Sequence, residues 1–171
     1  MDLREAILKR RSIRVFKPEP VPVDAIEALK EACLWAPSAG NIQAREFWFV
    51  TDADAREALG ACSYQAEIFS SARLVVVGCT SDSVVKEYGE RGLELYAPQD
   101  VAAAVQNLLL TAHARGLGSV WIGAFDPAKV RKALSMREGL QPVVMVPIGV
   151  PAEMPAAPEH LAPKALFHDV D

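Results

Sequence analysis

The chain has 171 residues, of which 51% are hydrophobic, and a net charge of -4 at pH 7. A chain of this length buries one substantial hydrophobic core rather than two, so residues 1–171 are predicted to form a single domain. The acidic balance disfavours a general nucleic-acid-binding protein, because such a protein usually carries a broad basic face.

Three cysteines, Cys33, Cys62 and Cys79, lie far apart in apolar surroundings. Their odd number and wide spacing indicate neither a disulfide framework nor a metal site, and buried free thiols fit a reducing cytoplasm. The first residues lack a basic leader followed by an apolar stretch, and the longest apolar run, near 101–110, is too short to span a bilayer. We therefore predict a cytoplasmic protein.

Asp2 is predicted to cap a first helix, in which Leu3, Ile7 and Leu8 form an apolar stripe. The helix runs into a basic cluster at residues 9–17, whose cations are Lys9, Arg10, Arg11, Arg14 and Lys17. One interpretation of this basic cluster is a site for one small anion. The other is a solvated face whose cations suit the end of a helix.

Asp24 is predicted to cap a second helix, which Pro37 ends. The inward face of that helix is predicted to be Ile26, Leu29, Cys33 and Leu34. The loop 37–41 then combines backbone donors with short polar side chains, and residues 47–50 are predicted to form a strand.

Short helices are predicted at 52–59 and 64–70, and the unalternating apolar run at 74–77 predicts a strand buried on both faces. Residues 88–98 mix glycine, charges and proline without a period, which predicts an irregular flap. Asp100 is then predicted to cap the longest helix, which Gly116 ends. The apolar surface of this helix is Val101, Ala104, Val105, Leu108, Leu109 and Ala112.

Strands are predicted at 119–123 and 143–150, with a short helix after Asp126 and Pro127 between them. The tail, residues 151–171, is rich in proline and has little periodicity. We expect it to wrap over a neighbour rather than to form a domain.

No set of residues supports hydrolytic or metal chemistry. His113, His160 and His168 are scattered, and His113 lies on the long helix, where a core or surface role is more common than catalysis. The glycines at 116 and 118 precede a strand instead of joining a strand to a helix. They therefore do not form a dinucleotide-binding fingerprint.

Four motifs remain, at residues 10–16 (RRSIRVF), 37–43 (PSAGNIQ), 100–123 and 142–151. In this order they resemble the signatures of the FMN-dependent nitroreductase family, over nearly the whole chain. The resemblance implies an α+β fold of three layers, α/β/α, with a mostly antiparallel central sheet and a C-terminal tail that extends onto the partner subunit. It also implies FMN as cofactor, NADH or NADPH as electron donor, and a homodimer with flavin sites at the subunit interface.

By this resemblance Arg10 and Arg14 hold the FMN phosphate, which suits the paired, charge-assisted hydrogen bonds of guanidinium groups. Arg11 and Ser12 match residues that contact the flavin or its ribityl hydroxyls. The loop that reaches the flavin from the partner subunit is matched by Pro37, Ser38 and Asn41. A surface charge at Arg11 and a plain helix-ending turn at 37–41 are the alternatives.

Ile122, Gly123 and Ala124 match a segment whose backbone approaches the cofactor. A glycine there permits an approach that a side chain would block, although close packing in the core is the alternative. Gln65 matches an amide that serves the flavin ring, and Lys164 matches a tail residue that serves the phosphate. A solvent-facing position for Gln65 and a simple tail charge at Lys164 are the alternatives.

The chain departs from the family pattern at residues 44–46, Ala-Arg-Glu, where a proline followed by an aromatic residue is common. It also lacks a large insertion between the second and the central helix. A lean cover over the active site is implied.

The function implied is hydride transfer from NAD(P)H to flavin and then to a nitroaromatic or quinone-type acceptor in a ping-pong cycle. No protein residue is predicted to be catalytic, because the redox chemistry belongs to the flavin. Two other interpretations stay open. One is a storage or sensing protein that binds flavin without turnover, and the other is an interaction protein whose basic cluster docks an acidic partner.

Overall fold

The structure is a computed structural model that describes residues 1–170. Its strands are β1 (Arg45–Val50), β2 (Leu74–Ser81), β3 (Gly118–Ser119) and β4 (Leu140–Gly149). Its α-helices are α1 (Leu3–Lys9), α2 (Val23–Leu34), α3 (Ala53–Gly60), α4 (Ala66–Ser71), α5 (Val85–Arg91), α6 (Ala97–Ala114) and α7 (Pro127–Ala133). No helix within the described residues is long and apolar enough to cross a membrane.

The strands form one sheet in the order β1-β2-β4-β3, and each neighbouring pair is antiparallel. One parallel bridge, between Ser12 and Ser119, attaches the basic cluster to the β3 edge of the sheet. The opposite edge is β1. The prediction of a mostly antiparallel sheet is confirmed.

Strand β2 is buried along its whole length because helices cover both faces of the sheet. Leu74 and Val76 belong to a core shared with α2 and α6. Val75 and Val77 belong to a second core, shared with α3, α4 and α7. Alternate side chains of one apolar strand thus enter two cores, which confirms the three-layer α/β/α arrangement.

Both helix starts at Asp24 and Asp100 were predicted wrongly. Helix α2 begins directly after Pro22, so Asp24 lies in the first turn, and α6 begins at Ala97, so Asp100 also lies inside the helix. For Asp24 the difference is small, because a carboxylate is favourable in the first turn as well as at the cap. Asp100 instead follows a π-helical turn that continues into α6, so no free helix N-terminus lies there for it to cap. The sequence alone does not distinguish a carboxylate inside a helix from one at its cap.

The predicted irregular flap at 88–98 is also wrong, because the backbone stays helical from α5 through a π-helical turn at Gly92–Tyr96 into α6. Gly89 has φ 56° and interrupts the helix without ending it. Tyr88 and Tyr96 pack edge to face at 5.3 Å, and the Arg91 Nε donates to the Tyr96 hydroxyl at 3.0 Å. The Tyr88–Tyr96 contact spans the interruption at Gly89, and the Arg91–Tyr96 hydrogen bond lies after it.

The predicted strand at 119–123 is much shorter, since Gly118 and Ser119 pair with β4 and Ile122 makes a single bridge to Met145. In α1 the cap at Asp2 is confirmed, but Ala6 is the buried residue of this helix. The apolar stripe Leu3, Ile7 and Leu8 is exposed, as is Leu34 of α2. The inward position predicted for Leu34 is therefore wrong.

Candidate functional site

The basic cluster follows α1 as an extended segment held against the sheet. The Ile13 N–H donates to the Ser119 carbonyl at 3.0 Å. Gly118 permits this contact, because a Cβ there would lie 2.8 Å from the Ile13 side chain. Arg10, Ser12 and Arg14 thus come from one ordered segment at the β3 edge.

The guanidinium groups of Arg10 and Arg14 lack a carboxylate partner within 4.0 Å among residues 1–170, although the Arg14 backbone N–H donates to Glu153 Oε1 at 2.5 Å. Burial lowers the pKa of the half-buried Arg10 guanidinium, and the charge of Arg11 acts in the same direction. Arg11 is engaged locally, since its guanidinium donates to the Leu8 and Arg10 carbonyls at 2.9 and 2.8 Å. A small dianion would relieve the unbalanced charge, so the donor set fits a phosphate.

These side chains line a cavity of about 460 Å³ between α1 and the tail. Its lining is Ile7, Leu8, Arg10, Arg11, Ser12, Arg14, Pro155, Ala156, Pro158 and His160. Lys164 is not part of it and lies exposed in the turn Pro163–Ala165. His160 lies there instead, and a lone histidine in an aperiodic tail gave no sequence signal for this position.

The segment 122–124 and the residues before α4 are neighbours. The Ala124 carbonyl accepts from the Tyr64 N–H at 3.4 Å and from the Ser63 hydroxyl at 3.3 Å, next to Gln65. Gly123 is exposed, and a Cβ on it would meet the Trp121 Nε1 at an ordinary 3.8 Å. Core packing therefore does not explain this glycine.

The loop 37–41 has a left-handed backbone at Gly40, Asn41 and the following Gln43. Ser38 Oγ accepts from the Gln43 N–H at 3.1 Å, and the side chain of Asn41 is exposed. Asparagine tolerates a left-handed conformation well, so the turn by itself accounts for Asn41. Its contact with a flavin stays a prediction.

The structure does not bring all predicted residues together within one chain. The loop lies at the first turn of α6, where the Ala39 N–H donates to Asp100 Oδ1 at 2.9 Å. The basic cluster lies near the other end, where the charges of Arg10 and Arg11, after burial, lower the pKa of His113. At a rise of about 1.5 Å per residue, the helix from Asp100 to His113 separates the two places by roughly 20 Å.

The fold and site together define a three-layer α+β protein with an antiparallel sheet and an anion-suited basic cluster at one edge. The family model described as the nitroreductase family matches residues 7–82 and 61–150. The chain belongs to the nitroreductase family.

Individual relatives agree. The chain is 32% identical over 159 residues to a protein of Methanothermobacter thermautotrophicus provisionally named NADH dehydrogenase/NAD(P)H nitroreductase, covering 91% of this chain and 80% of that protein. A crystal structure of a provisional nitroreductase from Desulfovibrio desulfuricans, in complex with FMN, has a TM-score of 0.88 and 28% identity, covering 100% and 98% of the two chains. The NADPH:FMN oxidoreductase of Vibrio harveyi, complexed with NAD+, has a TM-score of 0.86 and 26% identity, covering 98% of this chain and 76% of that one.

Proposed function

We propose that this protein is an FMN-dependent NAD(P)H oxidoreductase acting on nitroaromatic or quinone-type acceptors. The observation that carries the proposal is the cavity lined by Arg10 and Arg14, two guanidinium groups without a carboxylate partner among residues 1–170. The FMN complex of the Desulfovibrio relative and the NAD+ complex of the Vibrio relative support both cofactors. The names of the relatives support the reaction class.

In this proposal Arg10 and Arg14 bind the phosphate, and Arg11 and Ser12 contact the flavin or its ribityl hydroxyls. The open backbone at 122–124 approaches the ring, with the side chain of Gln65 beside it. Lys164, which lies outside the cavity, stays a predicted phosphate ligand. Bound FMN supplies the redox chemistry, by hydride exchange with NADH or NADPH and then with the acceptor in a ping-pong cycle.

A homodimer completes the site in this proposal. The separation of roughly 20 Å along α6 is longer than the reach from the phosphate to the ring of one FMN, so Pro37, Ser38 and Asn41 would contact the flavin of the second copy. The exposed stripe of α1 and Trp35, which is 77% exposed, would be covered there.

The tail of each copy is proposed to dock on the other. The β1 edge borders a cavity of about 440 Å³, with Leu34, Phe47 and Phe49 in its lining. The tail offers exposed apolar side chains to such a groove, including Met154, Leu161 and Phe167. The lining also includes the polar side chains of Lys30, Gln43, Arg45 and Glu46. An unpaired strand edge beside a partly apolar groove is a favourable place for an extended segment to pair.

A cytoplasmic location is also part of the proposal. Cys33, Cys62 and Cys79 are buried free thiols, which is the state that a reducing compartment maintains.

The proposal is tested by the absorbance spectrum of the purified protein after FMN addition and desalting, followed by anaerobic NADH and NADPH. We expect flavin to be retained and then bleached by at least one donor. Retained but unbleached flavin would indicate a binding protein without turnover. A colourless protein would contradict the proposal and favour the interaction protein.

A further inference from the structure

Arg45 is a buried cation at the first residue of β1, 9% exposed. Its guanidinium donates to the backbone carbonyls of Ala36 at 2.6 Å and Pro37 at 2.7 Å. It also donates to the Asp100 carbonyl at 3.2 Å and to the Leu34 carbonyl at 3.5 Å. Arg45 therefore joins the end of α2, the start of the loop 37–41 and the first turn of α6.

No ion pair compensates the buried charge of Arg45. No carboxylate of residues 1–170 lies within 4.0 Å of its guanidinium. Burial lowers its pKa, and the more distant Asp100 charge opposes this effect. A well-packed apolar residue usually stabilises a fold at least as well as a buried charge. We therefore look for the contribution of Arg45 in the backbone segments that its several guanidinium donors hold in place.

The loop itself has few other anchors. The Ala39 N–H donates to Asp100 Oδ1, and the Tyr88 hydroxyl lies so close to Gly40 that a Cβ there would be 2.6 Å from it. Carbonyl groups at and after the end of a helix lack intrahelical hydrogen-bond partners. The Arg45 guanidinium donates to two of them, those of Ala36 and Pro37. Without Arg45, the segment that leads into the left-handed backbone at Gly40 and Asn41 would no longer be held in place.

We propose that Arg45 is a positioning residue, which fixes the loop 37–41 so that Ser38 and Asn41 meet the flavin bound by a second copy of the chain. This inference rests on the proposed function.

The test compares R45M with R56M, since Arg56 is a matched control. Arg56 is also buried, at 8% exposure, and its guanidinium group also donates to backbone carbonyls, those of Thr51 and Ala72, in the opposite helical layer. Thermal unfolding without FMN, the FMN dissociation constant and the visible circular dichroism of bound FMN are measured for both. We expect both variants to lose thermal stability, whereas R45M alone raises the FMN dissociation constant at least tenfold and alters the flavin dichroism.

A milder variant keeps the test informative if R45M does not fold. R45K keeps the charge but lacks the planar fork, so we expect an intermediate rise in the FMN dissociation constant with the fold intact. Equal effects of R45M and R56M on FMN, or wild-type FMN binding and dichroism in R45M and R45K, would overturn the inference alone. A wild-type protein that retains no FMN would overturn the proposed function and this inference with it.

Discussion

Arg10 and Arg14 are the single side chains on which the phosphate assignment depends. We expect R10M and R14M each to weaken FMN binding by ~10- to 100-fold, because each removes charge-assisted hydrogen bonds to the phosphate. Riboflavin, which lacks the phosphate, should bind equally to the wild type and both variants. Titration of each flavin by fluorescence quenching measures this. R4M, on the exposed part of α1, is the control. Parallel losses for FMN and riboflavin would contradict the assignment.

A substitution at Gly123 distinguishes a role in flavin binding from a role in core packing. G123V should leave the free energy of unfolding within about 0.5 kcal/mol of the wild type, because Gly123 is exposed and a Cβ there makes only an ordinary contact, with the Trp121 Nε1 at 3.8 Å. The same side chain should block the approach of the flavin ring and weaken both FMN and riboflavin. Chemical denaturation without flavin and the two titrations check this. Unchanged flavin binding in G123V would remove Gly123 from the site.

His113 should make the stability of the flavin-free protein depend on pH. Its Nε2 is buried without a hydrogen-bond partner among the described residues. Burial, followed by the charges of Arg10, Arg11 and Lys9, lowers its pKa, and Glu5 alone opposes this. The unfolded chain, with a histidine pKa of about 6.5, therefore binds the proton first. Stability from this group is complete above that pH and falls as the pH drops below it.

The measurement for His113 is urea unfolding of the wild type and H113Q at pH 7.5 and pH 5.5. We expect the wild type to lose more free energy of unfolding between these two pH values than H113Q does, since glutamine does not titrate. Losses of the same size in both proteins would show that His113 protonates equally well in the folded state.

At the scale of elements, α6 lies between the loop 37–41 and the basic cluster and sets the distance between them. Its buried face packs against α2 and the sheet, while its two ends carry the loop anchor Asp100 and the neighbour of the basic cluster, His113. The helix rise sets a separation of roughly 20 Å between these two places. In the proposed dimer, this separation assigns the loop 37–41 and the basic cluster of one chain to different flavin sites.

The tail is the other element with a specific expectation. Deletion of residues 155–171 should leave the fold intact, because residues 156–170 are exposed. It should weaken the dimer and the retention of FMN, because the proposed contact with β1 and the tail wall of the 460 Å³ cavity are lost. Sedimentation equilibrium and desalting after FMN addition measure the two effects. A deletion of 169–171 is the control, and an unaltered dimer in the longer deletion would exclude tail docking as a source of dimer stability.

At the scale of the whole molecule, a shared site predicts complementation between two variants that bind FMN weakly, assayed at an FMN concentration that saturates only intact sites. R10M damages the half-site of its own chain, and N41D damages the half-site that its chain offers to the partner. A mixed dimer then has one site with both defects and one intact site, so a 1:1 mixture after subunit exchange should regain about a quarter of the wild-type sites. FMN-dependent NAD(P)H oxidation measures it, with each variant alone as the control. No recovery in a mixture shown to exchange would contradict the two-chain site.

Much of the local structure could be predicted from the sequence. The apolar run at 74–77 identified the doubly buried strand, and the order of the motifs at 10–16 and 37–43 identified the family. The helix start near Asp24 could not be predicted to the residue, because first-turn and cap carboxylates leave the same pattern. The start predicted at Asp100 failed because the helical backbone already runs from α5 into α6. The helical path of residues 88–98 depends on the contacts of Tyr88, Arg91 and Tyr96, which a periodicity does not reveal.

The sequence by itself determined the fold class and the candidate residues through its four ordered motifs, which resemble those of the nitroreductase family. Burial periodicity, a local property of the chain, added single elements such as the doubly buried strand at 74–77. Tertiary structure alone decided which candidates meet. It joined the basic cluster to β3, placed Ser63 and Tyr64, which precede Gln65, against Ala124, and left Lys164 outside the cavity. It also placed the loop 37–41 at the far end of α6. These distances depend on how a whole sheet and helix are packed, and no sequence spacing encodes them.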